Sequence, residues 1–86
     1  MPSRIFARCI LRFDSQWILD ESEIYALMKA HRFHIESLSY RTRDEGRQFE
    51  YRMMLRTHDH HYLPLLATDL RNHNKLLEFQ LSPAAD

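Results

Sequence analysis

The sequence predicts an α+β domain of ferredoxin-like type: a two-layer sandwich with a four-stranded antiparallel sheet and two helices on one face, in the order βαββαβ. Three observations predict it. Period-two alternation of apolar and polar residues recurs along the chain, helical spacing of apolar residues occupies two stretches between, and the strand, helix, strand unit is completed twice within 86 residues. This topology hosts effector sensors, RNA binders, metal chaperones and small enzymes, so function has to be argued from sites.

The first strand is expected over Arg4 to Phe13, with Ile5, Ala7, Cys9, Leu11 and Phe13 on one face and Arg4, Phe6, Arg8, Ile10 and Arg12 on the other. Asp14 to Asp20 connects it to a helix. Trp17, Ile18 and Leu19 in that connection are apolar enough to cover one end of the core or to begin the helix early. Asp20 followed by Glu23 reads as a capping box, and Ile24, Leu27, Met28 and His31 then recur at helical spacing to about Arg32.

Ile35 to Arg43 reads as a second strand, polar enough for a sheet edge, and Asp44-Glu45-Gly46 as the hairpin turn that follows. The third strand, Arg47 to Arg56, turns Phe49, Tyr51, Met53 and Leu55 inward and Glu50, Arg52, Met54 and Arg56 outward. A second helix is expected from about Asp59, as its cap, to Arg71, with Leu63, Leu66 and Leu70 on one stripe and Pro64 in the first turn. Asn72-His73-Asn74 supplies a stop. Lys75 to Ser82 is the last strand, with Leu77, Phe79 and Leu81 inward, and Pro83 ends it.

The length fits a single domain, and the 44% hydrophobic content is that of a globular chain. Twelve basic residues balance twelve acidic ones, which weighs against sequence-independent nucleic-acid binding, because phosphate contacts need a local excess of Lys and Arg. The only lysines are Lys29 and Lys75; the other basic residues are arginines. A single cysteine, Cys9, excludes an internal disulfide and points to a reducing compartment. Its place in an apolar alternation reads as packing rather than nucleophile. No apolar run approaches the ~20 residues needed to span a bilayer, and no signal-peptide pattern opens the chain, so this stretch by itself reads as soluble.

Three histidines and a carboxylate fall within His58-Asp59-His60-His61. Imidazoles suit divalent transition metals, which makes His58, His60 and His61 a candidate metal site, although neighbouring side chains converge only on a bent backbone. The reading preferred is a solvated loop whose Asp59 caps the second helix, with a transition-metal sensor using His58, His60 and His61 as the alternative. His31 and His34 face the same way only if the first helix reaches position 34. RNA-binding domains of this topology stack bases on aromatics of the open sheet face. Here Phe49 and Tyr51 belong to the register that meets the helices, and Phe6 is the one outward aromatic of the first strand, so nucleic acid is not an expected partner. Small acyl-phosphate hydrolases of this topology carry a glycine-rich phosphate loop, and Asp14-Ser15-Gln16-Trp17 cannot replace it. No enzyme and no cofactor are expected. What remains is the open face, where Phe6, Arg8 and Ile10 lie opposite Arg52 and Met54. Aromatics, Met and Arg are enriched at protein interfaces, and these five residues are the candidate contacts of a partner or of a second copy in a homodimer.

The end of the chain, Leu76-Leu77-Glu78-Phe79-Gln80-Leu81-Ser82-Pro83 with Asp86 closing it, resembles the C-terminus of the MgtC/SapB family of bacterial inner-membrane proteins. Those proteins finish in a V-x-E-F-R-I-x-P-T-G-D-like string, from which Gln80 and Ala84-Ala85 depart. The resemblance implies an ACT-like C-terminal domain on the cytoplasmic face of the inner membrane, attached to an N-terminal part that crosses it. It also implies a link to magnesium-limited growth and to virulence, in regulation more than transport. ACT domains bind small effectors at a glycine-containing turn after the first strand; Asp14 to Asp20 has no glycine there. Asp44 and Glu45 read as solvated turn residues rather than as magnesium ligands.

Overall fold

A computed structural model describes residues 4–84. Its elements are β1 (Ile5–Asp14), α1 (Glu21–Ala30), β2 (His34–Arg43), β3 (Gln48–Thr57), α2 (Tyr62–Arg71) and β4 (Leu76–Pro83). The strands pair antiparallel in the order β2-β3-β1-β4, so the expected ferredoxin-like topology is the one adopted. The most apolar alternations, β1 and β3, take the centre. Of β2 only Ile35 is buried, as suits an edge.

One core joins the layers. Ala7, Cys9, Leu11 and Phe13 of β1 and Tyr51, Met53 and Leu55 of β3 pack with Ile24 and Met28 of α1 and Leu66 and Leu70 of α2. Both helices therefore cover the same face of the sheet, and the other face is left open. Leu19 closes one end of the core, and its carbonyl accepts the buried Tyr51 hydroxyl at 2.7 Å. Trp17 stays half exposed, with the Lys75 ammonium 5.9 Å from its ring.

Local chemistry sets the element ends. The capping box at α1 forms as expected, with Asp20 accepting the Glu23 amide at 2.9 Å and Glu23 accepting the Asp20 amide at 3.0 Å. α1 ends at Ala30 through a Schellman arrangement: the Arg32 amide donates to Lys29 and the Phe33 amide to Met28. This puts His34 on β2, away from His31, which instead meets Asp69 of α2 at 2.8 Å. The β2–β3 hairpin carries positive φ at Asp44, Glu45 and Gly46. Left-handed central residues match the twist of the strands, and the Gly46 amide closes the turn onto Arg43.

One further boundary and one register differ from expectation. Asp59 does not cap α2, whose helical residues begin at Tyr62 after His61. The Asp59 carboxylate instead accepts the His61 amide and ring nitrogen, closing a tight turn of its own ahead of the helix. On β4, a bulge between the partners of Arg12 and Phe13 sets Leu76, not Leu77, opposite Phe13. Leu77 is thereby exposed, while Phe79 and Leu81 keep the inward positions expected of them.

Candidate functional site

The open face is ordered in rows that run across the strands. Ile10 lies between Arg52 of β3 and Gln80 of β4, Arg8 between Met54 and Ser82, and Phe6 opposite Arg56. Directly opposed residues share a face at close range. The five expected contact residues, Phe6, Arg8, Ile10, Arg52 and Met54, are thus brought together on one surface. Phe6, Ile10 and Met54 are half-buried between the arginines, while Arg8 and Arg52 are exposed. A shallow depression of about 370 Å³ lies among Arg8, Ile10, Ser39, Arg52, Met54 and Gln80.

Beside it stands a residue that the alternation pattern placed on this face but did not single out. Glu50 lies on the open side yet is 1% exposed. Its Oε1 accepts from Arg12 Nη2 at 2.7 Å and Nε at 3.1 Å, Arg52 Nε lies 3.5 Å from Oε2, and Arg43 stands 3.8 Å away. Arg12 also donates to Glu78 on the neighbouring strand. A carboxylate so buried needs its charge matched, which the arginines do, and Arg12 occupies Oε1 with two hydrogen bonds. The network holds Arg12 and ties Arg52, which lines the depression, to the buried carboxylate. The signal in the sequence was a pair of opposite charges in the outward registers of the two central strands. Recognising it needed the register that sets Arg12 opposite Glu50.

The histidine stretch is only partly gathered. Asp59, His60 and His61 bring their ligand atoms within 4.8 Å of one another. His58 turns away, and its ring lies edge-on to Tyr62 at 5.6 Å. The amide and ring of His61 hold the Asp59 carboxyl below the usual carboxylate range. Cys9 is fully buried, and desolvation pushes its thiol up to about 12, which makes it a packing residue. Phe49 and Tyr51, 5.1 Å apart edge to face, pack on the covered side, so the sheet's aromatic pair is turned away from the open face.

Fold and surface together define an open-faced ferredoxin-like sandwich whose uncovered side is an arginine-framed apolar patch. Among solved structures it is similar to the C-terminal domain of the MgtC protein from Mycobacterium tuberculosis. The TM-score is 0.63 over 94% of this chain and 86% of that one, at 11% identity. The likeness expected from Leu76 to Pro83 is therefore met in three dimensions, at the level of the fold; Ala85 and Asp86 of that string lie outside the described residues. The chain is also similar to the de novo designed protein Foldit4, with a TM-score of 0.51 over 98% of this chain and 99% of that one, at 14% identity. No family model and no curated protein matches the chain.

Proposed function

We propose that this chain is a non-catalytic regulatory domain of an MgtC/SapB-like membrane protein, and that it docks a protein partner through the open face of its sheet. One observation carries the docking: Phe6, Ile10 and Met54 are neighbours on a face that neither helix covers, framed by Arg8 and Arg52. Such a mixture of apolar anchors and arginines is what protein interfaces concentrate at their centres. The membrane-protein context is supported by the fold likeness to the MgtC domain and by the Leu76–Pro83 string. A designed protein of the same topology shows that topology alone does not assign a role, which is why the surface matters.

In this reading the domain hangs on the cytoplasmic side of the inner membrane from an N-terminal part that spans it. Among the described residues no helix is long and apolar enough to cross a membrane. The protein it serves acts in regulation tied to magnesium-limited growth and virulence.

A photo-crosslinker at Gln80, which borders the depression, tests the docking in cells. Irradiation is expected to give one discrete protein adduct, absent when the same group replaces Leu65 on the exposed side of α2. Phe6→Asp and Ile10→Asp should remove the adduct and leave a folded amide spectrum. An adduct that survives both substitutions sinks the assignment.

A further inference from the structure

A second hollow, of about 570 Å³, opens where the last turns of α1 pass the start of β2 and the end of β3. It shares no lining residue with the depression around Ile10. Its base is apolar, formed by the buried Phe33 and Ile35, with the exposed Tyr25 and Ala26 also lining it. Its rim is basic: Lys29, Arg32, His34, Arg56 and His58, with no aspartate or glutamate in the lining. In a chain whose basic and acidic residues are equal in number, that is a strong segregation of charge.

Part of this charge is spoken for. Arg56 and His34 both lean on Glu36, at 2.6 and 3.7 Å. Lys29, Arg32 and His58 have no carboxylate partner among the described residues. The C-terminal carbonyls of α1 would oppose an anion, but three of them are engaged. Leu27, Met28 and Lys29 accept the amides of His31, Arg32 and Phe33, and the Arg32 carbonyl takes the Thr57 hydroxyl at 2.9 Å.

Arg32 adds a separate observation. Its φ is 68°, at the position after a helix where glycine is favoured because a Cβ is strained there. The sequence thus places a long cationic side chain where local structure favours none, and that side chain lines the hollow. Strain held at one residue is a reason to look for what the residue does.

We propose that this hollow binds a small organic anion, a phosphorylated or carboxylated compound with an apolar body. Lys29 and Arg32 hold the oxyanion, and Phe33, Ile35 and Tyr25 receive the body. The site is independent of the docking face, and either can fail without the other.

The test is a titration of the isotope-labelled chain with phenyl phosphate, followed by amide NMR. Saturable shifts are expected around Lys29, Arg32, Phe33 and His58, with a Kd of about 1 mM for so small a probe. Inorganic phosphate, which lacks the body, and benzyl alcohol, which lacks the charge, should each bind at least about tenfold more weakly. Arg32→Gly relieves the backbone, so it should keep the fold and raise the melting temperature while weakening phenyl phosphate about tenfold. Absence of saturable shifts, equal response to benzyl alcohol or to inorganic phosphate, or unchanged affinity in Arg32→Gly each overturns the proposal.

Discussion

Glu50 is buried on the uncovered side of the sheet because Arg12 lies across it while Arg43 and Arg52 approach from the flanks. Removing the carboxylate would leave the part-buried Arg12 with only the exposed Glu78 for compensation. Stranding one partner of a buried pair is costly, so Glu50→Ala is expected to lower stability by about 3 kcal/mol, read as a lower urea midpoint at unchanged slope. A loss under about 1 kcal/mol would mean that the network is no stronger than a surface pair. Cys9 makes the opposite case, a chemically capable group silenced by its surroundings. With its thiol fully buried and pushed up to about 12, it should resist iodoacetamide at neutral pH in the folded chain and react at once when urea unfolds it. Labelling of the folded chain at the rate of the unfolded one would show that β1 opens readily.

At the scale of the element, β4 offers a test of one register. The bulge opposite Arg12 and Phe13 turns Leu76 toward the core and Leu77 to solvent, 52% exposed. Leu76→Ala should cost about 1–2 kcal/mol, less than a fully buried leucine because the site is only half-buried, while Leu77→Ala should stay within about 0.5 kcal/mol. The reverse order would restore the straight alternation read from the sequence. α1 gives a pH test. Backbone and side-chain hydrogen bonds from Glu23 and Ser22 hold the Asp20 carboxyl below its ordinary value. A depressed folded pKa contributes stability above the unfolded value, and that contribution disappears as pH falls through the folded one. Amide exchange in the first turn of α1, taken relative to its intrinsic rate, should therefore show an excess that grows as pH falls from roughly 5 toward 3. Asp20→Asn, which keeps an N-cap acceptor without the titration, should remove that excess. These elements also mark what was legible. The capping box and the alternations of β1 and β3 are local chemistry, and they were readable. The β4 bulge and the start of α2 were not. An extra residue in a strand changes no composition, and Asp59 satisfied its own turn instead of the helix it was expected to cap.

For the whole molecule, topology was legible because two strand-helix-strand units leave few ways to bury four apolar faces in one core. The burial of Glu50 was not, since it depends on a register between strands far apart in sequence. The distribution of charge was legible in part: the outward registers of β1 and β3 carried Arg8, Arg12, Glu50, Arg52 and Arg56, whereas the pairing of β2 and β4 was needed to add Arg41, Arg43 and Glu78 to the same face. The total is balanced, yet the open face carries Arg8, Arg12, Arg41, Arg43, Arg52 and Arg56 against Asp14, Glu36, Glu50 and Glu78. The first turn of α1, on the other layer, carries Glu21 and Glu23. Two copies meeting open face to open face would set like charges together around Ile10, whereas a partner with surplus carboxylates would not. Complementary charge speeds encounter more than it deepens affinity, and salt screens it. The Gln80 adduct should therefore form more slowly in permeabilised cells as salt rises from about 0.1 M to about 1 M, where the screening length falls from about 10 Å to about 3 Å. At about 0.1 M salt the isolated chain should sediment as a monomer. A dimer already present there, and abolished by Ile10→Asp, would make the second copy the occupant of this face, with the apolar patch outweighing the arginines around it.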